Sequence, residues 1–298
     1  MPSLKELRIR KKSVQATKKI TSAMKLIAGA KLRRAQEKAQ AARPYAALMS
    51  QMLVKLVGGK APQTGVSNLL TGSGQNKVSL IIVATSNRGL CGGFNSSIVR
   101  HVRRLILMRK SQGQDVKLIC IGRKGYEQLK REYRNIIIEI FEAFDKPSFY
   151  EARRIADLVL DLFNQQGFDS CSIVYNKFIS ALSQKVTEHR LIPYTALETL
   201  TPQDQAVAFE SSTTKPYDFE PSEQQVLDEL LPKNLAVQIF GALLENMASE
   251  QGARMAAMES ATRNAEDMIR ALDLKYNRTR QAFITKELIE IISGAEAL

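Results

Sequence analysis

The sequence predicts an α/β central domain with a mostly parallel sheet, joined to a long antiparallel coiled coil that its own N- and C-terminal helices form. Three observations carry this. From Pro2 to Pro44 there is one glycine, Gly29, and no internal proline. From Pro232 to Leu298 there are three glycines and no further proline. Helical arms of roughly 50 and 70 residues would run ~75 and ~100 Å, longer than the diameter of a compact domain of this size. Between them, short apolar runs alternate with amphipathic stretches, as strands and helices do in a layered α/β domain.

The first arm carries a seven-residue repeat: Leu7, Val14, Thr21, Ala28, Ala35, Ala42 and Met49. Ile20 and Ile27 lie one position earlier, and Thr17, Met24, Tyr45 and Met52 three positions later, so these are expected on the same stripe. The seam is narrow and many of its members are small, which lets a second helix come close while each turn buries little area. Pro44 lacks an amide hydrogen and is expected to bend the arm or leave a carbonyl unpaired. The stretch Gly58 to Asn76 is rich in Gly, Ser and Asn and reads as a loop.

The texture then changes. Lys77–Thr85 is a continuous apolar run, the pattern of a strand buried on both faces. Asn95–Ser111 is predicted helical, with Ile98, Val102, Leu105 and Ile106 on one face. Val116–Ile121 is a second strand, Lys124–Glu132 a helix, Ile136–Ile140 a third strand, Ser148–Gln165 a helix and Ser172–Tyr175 a fourth strand. Gln184–Ile192 alternates weakly, as an edge strand does. The alternation is that of a Rossmann-like layer. From Pro193 to Pro221 the chain is polar, acidic and proline-bearing, with one short strand expected around Ala206–Glu210.

The second arm is expected to start near Ser222, an acceptable helix cap. Its seam reads Phe240, Leu244, Met247, Gln251, Met258, Ala261, Ala265, Met268 and Leu272. Small residues recur in it as in the first arm, so the two ends are expected to wind round each other antiparallel. The resulting organisation is 1–57 as the first shaft helix, 58–76 as a loop, 77–221 as the central domain with its connecting segment, and 222–298 as the second shaft helix.

Charge is concentrated. Residues 1–43 hold thirteen Lys and Arg against two acids, a net +11, so the other residues contribute only about +2 of the total +13. A basic rod implies an acidic partner: nucleic acid, an anionic surface or an acidic protein face. No aromatic residue lies between Lys5 and Arg43, which weighs against single-strand nucleic-acid binding and leaves duplex backbone binding open. No stretch approaches the ~20 apolar residues of a membrane span. The basic start lacks the apolar core of a secretory signal.

Enzymatic chemistry has little support. Cys91, Cys120 and Cys171 are scattered and read as buried free thiols. His101 and His189 lie on different elements, without zinc spacing. The glycine cluster Arg88–Asn95 follows the first strand, yet it is neither GxGxxG nor GxxxxGK[ST]. A tight turn with close helix–strand packing is its better reading. Ser86 has no His and acid partners for a triad, and Glu287 and Glu290 sit a helical turn apart on a charged face. No cofactor is expected. Two classes of function remain: a binder of nucleic acid or an anionic surface, and a structural or force-transmitting part of a protein complex.

The last turns of the second arm carry a resemblance. Ile284–Ala297, ITKELIEIISGAEA, is similar to the signature of the gamma subunit of F-type ATP synthases at Ile284, Thr285, Glu287, Glu290, Gly294, Ala295 and Ala297. Leu7–Lys25 resembles that family's first helix, including its Thr-x-Lys-Ile-Thr-x-Ala-Met segment at Thr17–Met24, and Arg43-Pro44-Tyr45 its proline step. Ser86–Asn95 resembles the central-domain turn, with Asn87 where the family usually has Asp. The dithiol insert of chloroplast members is missing from the sequence.

The resemblance implies a non-catalytic rotor shaft. Its terminal helices would form a curved coiled coil inside a hexamer of alpha and beta subunits, and its central domain would sit with the epsilon subunit and the membrane c-ring. It implies that Met24 and Lys25 face an acidic loop of beta. Arg280 and Gln281 would contact a beta loop near the shaft's upper part, and Thr285 and Glu287 would belong to the same zone. The sequence starts at Met1 without a presequence, so a peripheral place on the cytoplasmic side of a bacterial inner membrane is expected.

Overall fold

The computed structural model describes residues 3–58, 68–72, 74–142, 147–194, 220 and 222–296. They fall into two compact units, residues 31–253 and the pair of segments 1–30 and 254–298. Two helices run through both: α1, Leu4–Gly58, and α6, Glu223–Glu296. Pro44 lies inside α1 without ending it, and Pro232 lies inside the first turns of α6. Ser222 caps α6 as expected, its Oγ accepting from Gln225 N–H at 3.3 Å.

The unit 31–253 is built on a five-stranded sheet in the order β3-β2-β1-β4-β5. The strands are β1 Val78–Ala84, β2 Asp115–Ile121, β3 Ile137–Phe141, β4 Ser170–Phe178 and β5 Gln184–Ile192. The first four are parallel, and β5 closes one edge antiparallel to β4. The strands therefore stand where the apolar runs placed them. The helices are α2 Asn68–Thr71, α3 Phe94–Ser111, α4 Arg123–Tyr133 and α5 Phe149–Asn164. Asn68–Thr71 is a single helical turn inside the stretch read as loop. The strand expected around Ala206–Glu210 lies outside the described residues.

The continuous apolar run of β1 is explained by burial on both faces. Leu80, Ile82 and Ala84 meet α5 (Ala152, Ile155, Ala156, Val159) and the α6 residues Leu235, Ala236, Ile239 and Leu243. Ile81 and Val83 point the other way, onto α3 (Phe94, Ile98, Val102, Ile106) and Leu129 of α4. Helix α5 begins with a capping box: Ser148 Oγ accepts from Glu151 N–H at 3.4 Å while Glu151 Oε2 accepts from Ser148 N–H at 2.9 Å. A third cluster joins Met49 and Leu53 of α1 to Leu227 and Leu231 of α6 and to Tyr194. In this unit the two long helices are thus packed together.

In the unit formed by 1–30 and 254–298 the same pairing continues. The seven-residue column is buried or half-buried throughout: Leu7, Thr21 and Ala28 are buried and Val14 is half-buried. Its flanking column differs from the expectation. Ile20 and Ile27 are exposed, as are Thr17, Tyr45 and Met52, and Met24 is half-buried. The positions four residues after each seam member take that place: Lys11, Lys18, Lys25 and then Leu32. Lysine stems cover apolar surface while the ammonium reaches outward, so a charged residue fills a flank that a hydropathy pattern assigns to Ile or Met. On α6, Met258, Ala265 and Leu272 line the seam as read, whereas Met268 is exposed and Thr262, Ile269 and Tyr276 take the flank.

Candidate coupling surface

The lysine column has a matching acidic column. Lys11 Nζ lies 2.5 Å from Asp273, Lys18 Nζ lies 2.9 Å from Glu266, and Lys25 pairs with Glu259. Each step of seven along α1 is met by a step of seven back along α6, as an antiparallel pair requires. Arg8 extends the series, its Nη2 donating to Tyr276 Oη at 3.0 Å with the guanidinium over the ring. Thr262 Oγ1 donates to Thr21 Oγ1 at 2.8 Å inside the seam, and Gly29 faces Met255 across it.

These pairs set the local electrostatics. The hydrogen bond from Lys25 and its charge hold Glu259 below the ordinary carboxylate range, with Arg263 adding to both effects. Glu266 is lowered in the same way by Lys18. In the unit 31–253 the opposite occurs at Glu245: burial holds its carboxyl above the ordinary range, partly offset by Lys177 and Arg43. One of its oxygens, Oε2, is buried without a hydrogen-bond partner among the described residues.

The six residues singled out for coupling fall into two zones. Met24 and Lys25 are half-buried at the level of Glu259. Arg280, Gln281, Thr285 and Glu287 are exposed, and Thr285 Oγ1 is turned back onto the Gln281 carbonyl at 2.9 Å. From Glu259 to Arg280 the helix rises ~30 Å, so the two zones are separate surfaces on one rod. Lys25 is engaged within the chain, which sequence reasoning missed. The signal was there to find, since Lys11, Lys18 and Lys25 repeat every seven residues and so do Glu259, Glu266 and Asp273.

The glycine cluster after β1 is a hydrogen-bonded turn. Asn95 Oδ1 accepts from Ser86 N–H at 3.0 Å, its Nδ2 donates to Ser86 Oγ at 2.8 Å, and Ser86 Oγ donates to the Arg88 carbonyl at 2.7 Å. Asn87 Oδ1 accepts from Arg123 N–H at the start of α4 (3.2 Å), a contact that an Asp would make with a full charge. Doubly wound sheets bind ligands in the crevice between strands whose connections diverge, here β1 and β4. That crevice is filled from within. Asn176 of β4 donates its N–H to Asn246 Oδ1 at 3.1 Å and its Nδ2 to the Phe94 carbonyl at 3.4 Å, while Ser249 Oγ donates to its carbonyl at 2.7 Å.

A cavity of about 440 Å³ opens at the other end of the strands, beside Met108, Gln114, Ser170 and Arg190. Arg109 on its wall is held by Ser79 and Glu188, at 2.9 and 2.8 Å. Among the described residues the three cysteines form no disulfide, and all three are buried, as expected from their neighbours. Among the described residues no group of His, Cys, Asp or Glu is placed to hold a metal ion, and no helix is long and apolar enough to cross a membrane.

Paired terminal helices and a Rossmann-like layer in one chain are found in known proteins. The family model described as ATP synthase matches residues 3–298. The ATP synthase gamma chain of Paramagnetospirillum magneticum is 52% identical over 300 residues, covering 100% of both chains. That of Rhodospirillum rubrum is 52% identical over 303 residues, again covering 100% of each. Among solved structures, a chain of the Tetrahymena thermophila mitochondrial ATP synthase central stalk and c-ring is similar with a TM-score of 0.59. It is 28% identical, over 81% of this chain and 99% of that one. The chain belongs to the ATP synthase gamma-chain family.

Proposed function

We propose that this chain is the non-catalytic central shaft of a bacterial F-type ATP synthase, turning with the membrane c-ring and forcing the catalytic beta subunits through their cycle. The observation that supports it best is the full-length match to gamma chains at about half identity, together with paired terminal helices that such a shaft needs. Its partners are the alpha and beta subunits, the epsilon subunit and the c-ring. The chain itself binds no cofactor in this role and lies on the cytoplasmic side of the inner membrane through the complex. Residues 1–57 and 222–298 act as the shaft helices and 77–221, after the 58–76 connection, as the foot. The reading as a nucleic-acid or anionic-surface binder rested on the basic first arm, whose Lys11, Lys18 and Lys25 are matched within the chain.

In this role Met24 and Lys25 form one coupling zone toward beta, and Arg280, Gln281, Thr285 and Glu287 the other. Lys25 has an internal partner, so its test needs two variants. Lys25→Glu is expected to assemble with the hexamer and retain ATP hydrolysis while proton-driven synthesis falls roughly tenfold, the scale of reversing one half-exposed charge contact. The swap Lys25→Glu with Glu259→Lys restores the internal pair and leaves residue 25 acidic. If synthesis stays low in the swap, Lys25 acts toward beta. If the swap recovers full synthesis, or Lys25→Glu never loses it, the outward role is wrong.

A further inference from the structure

The small net charge outside the first arm conceals a concentrated basic face. Helix α3 contains five Lys and Arg and no acid, and α4 with Arg134 adds five more against two acids, Glu127 and Glu132. The two helices lie side by side on one face of the sheet. Arg103 bridges them, donating to the Gln128 carbonyl at 3.2 Å and to Glu132 at 2.8 Å. Both acids are already engaged, Glu132 by Arg103 and Glu127 by Lys124 and Arg123. Arg100, Arg104, Lys110, Arg131 and Arg134 are exposed and form no ion pair among the described residues.

This arrangement is unfavourable for the chain alone. Arg100 and Arg104 stand four apart on α3, and Lys130 and Arg134 four apart at the end of α4, so like charges face each other at helical spacing. Leu107 and Met108, 64% and 45% exposed, lie within the same ridge as Arg104. Exposed arginines beside an exposed methionine are a composition of protein interfaces. Guanidinium groups also pair with carboxylates through two parallel hydrogen bonds, and arginine is the majority cation here. The tyrosines of α4, Tyr126 and Tyr133, are half-buried against the core, and Lys130 lies over the Tyr126 ring, 5.5 Å from its centroid, so among the described residues neither is an open stacking platform for nucleic-acid bases.

We propose that the α3–α4 face is a docking surface for an acidic segment of a neighbouring protein subunit, its carboxylates answering Arg100, Arg104 and Arg131. This deepens the shaft reading and rests on it. The test uses the intact complex treated with a zero-length carbodiimide, which joins an amine to a carboxylate only where they touch. Lys110 and Lys130 are expected to give isopeptide links to Asp or Glu of another subunit.

The triple variant Arg100→Glu, Arg104→Glu, Arg131→Glu is expected to lose these links and to release the linked subunit at roughly tenfold lower salt. The Arg→Lys triple keeps the charge and the fold and should retain the links, whichever way the glutamate variant folds. As a direct probe, the purified full chain should bind a polyglutamate peptide in preference to phosphatidylglycerol vesicles and random duplex DNA. Intersubunit links missing at both lysines in an assembled complex overturn the proposal, as does preference for vesicles or DNA. Failure of the unmodified chain to assemble at all would instead overturn the shaft reading.

Discussion

Gly122 shows how one residue's lack of a side chain fixes the turn from β2 into α4. Its φ is +96°, and a Cβ there would lie 2.3 Å from the Thr85 carbonyl oxygen. The same threonine is bound on several sides, Oγ1 donating to the Ile121 carbonyl at 2.9 Å and accepting from Gly125 N–H at 3.0 Å. Neither backbone can yield without breaking the β1–β2 junction. Gly122→Ala is expected to cost roughly 2–4 kcal/mol, combining left-handed strain with a backbone clash. Equilibrium urea unfolding would show it as a lower midpoint at unchanged slope. A variant as stable as the parent would mean that the junction relaxes easily.

The cysteines make a second prediction at this scale. Burial pushes the Cys120 thiol up to about 12 and raises Cys171 further, so neither forms thiolate at neutral pH. Cys120 and Cys171 should stay silent to a disulfide reagent at pH 8 until denaturant is added. Rapid labelling of either in the native chain would contradict the burial seen here.

At the scale of elements, the strands were the most legible part of the sequence, because a run such as Leu80–Ala84 is apolar only where both sheet faces are covered. Their ends shifted by up to three residues, most at β4, where Ser172–Tyr175 became Ser170–Phe178, as caps and hydrogen bonding decide what hydropathy leaves loose. The seam of α1 was equally readable from Leu7, Thr21 and Ala28. Its flank was not, since Lys18 and Lys25 carry the polarity of a solvent face while lying beside the seam. What settles their side is the acid column on the other arm, which becomes meaningful only once the pairing register is known. The coupling residues beyond Arg280 came from a family resemblance, and nothing in periodicity distinguishes Thr285 or Glu287 from other exposed helix positions.

The paired columns give the arms a pH dependence. Glu259 and Glu266 have folded values below the ordinary glutamate value of 4.5. Their contribution is therefore fully present above 4.5 and is lost as pH falls through the lowered folded values. Helicity by circular dichroism should hold from neutral pH to about 4.5 and decline below it. Because the pairs lie at the surface, 0.5 M salt should shrink the effect. Lys18→Gln together with Lys25→Gln should flatten the decline at low salt. Glu245 works in the opposite sense, since a raised folded value favours the native state as pH falls, so Glu245→Gln is needed alongside to separate the arms from the central layer. An unchanged acid profile in the double lysine variant would exclude these pairs as its origin.

At the scale of the whole molecule, the free chain exposes more apolar helix than an isolated protein holds comfortably. Arg8 meets Tyr276 four residues after α1 begins, so among the described residues α1 covers α6 up to about Arg280. From Gln281 to Ala295 every residue is exposed, and Phe283, Ile284, Leu288, Ile289, Ile291 and Ile292 are among them. Ile284, Leu288, Ile291 and Ile292 follow i, i+4, i+7 and i+8 and so form one apolar stripe, opposite Lys286 and Glu290, and such a stripe is normally covered by a partner surface. A single helix of this length is also marginal in water by itself. The isolated full chain is therefore expected to self-associate at micromolar concentration through these last turns. A chain ended at Arg280 should sediment as a monomer while its central layer unfolds at the same urea concentration, because Leu235, Ile239 and Leu243 remain in place beneath the sheet. Replacing Leu288 and Ile292 by Glu should have the same effect without shortening the helix. If both variants associate like the parent, the exposed apolar surface that drives association lies on the first arm, at Ile9, Ile20, Leu26 and Ile27, and the C-terminal turns are stable without a surrounding partner.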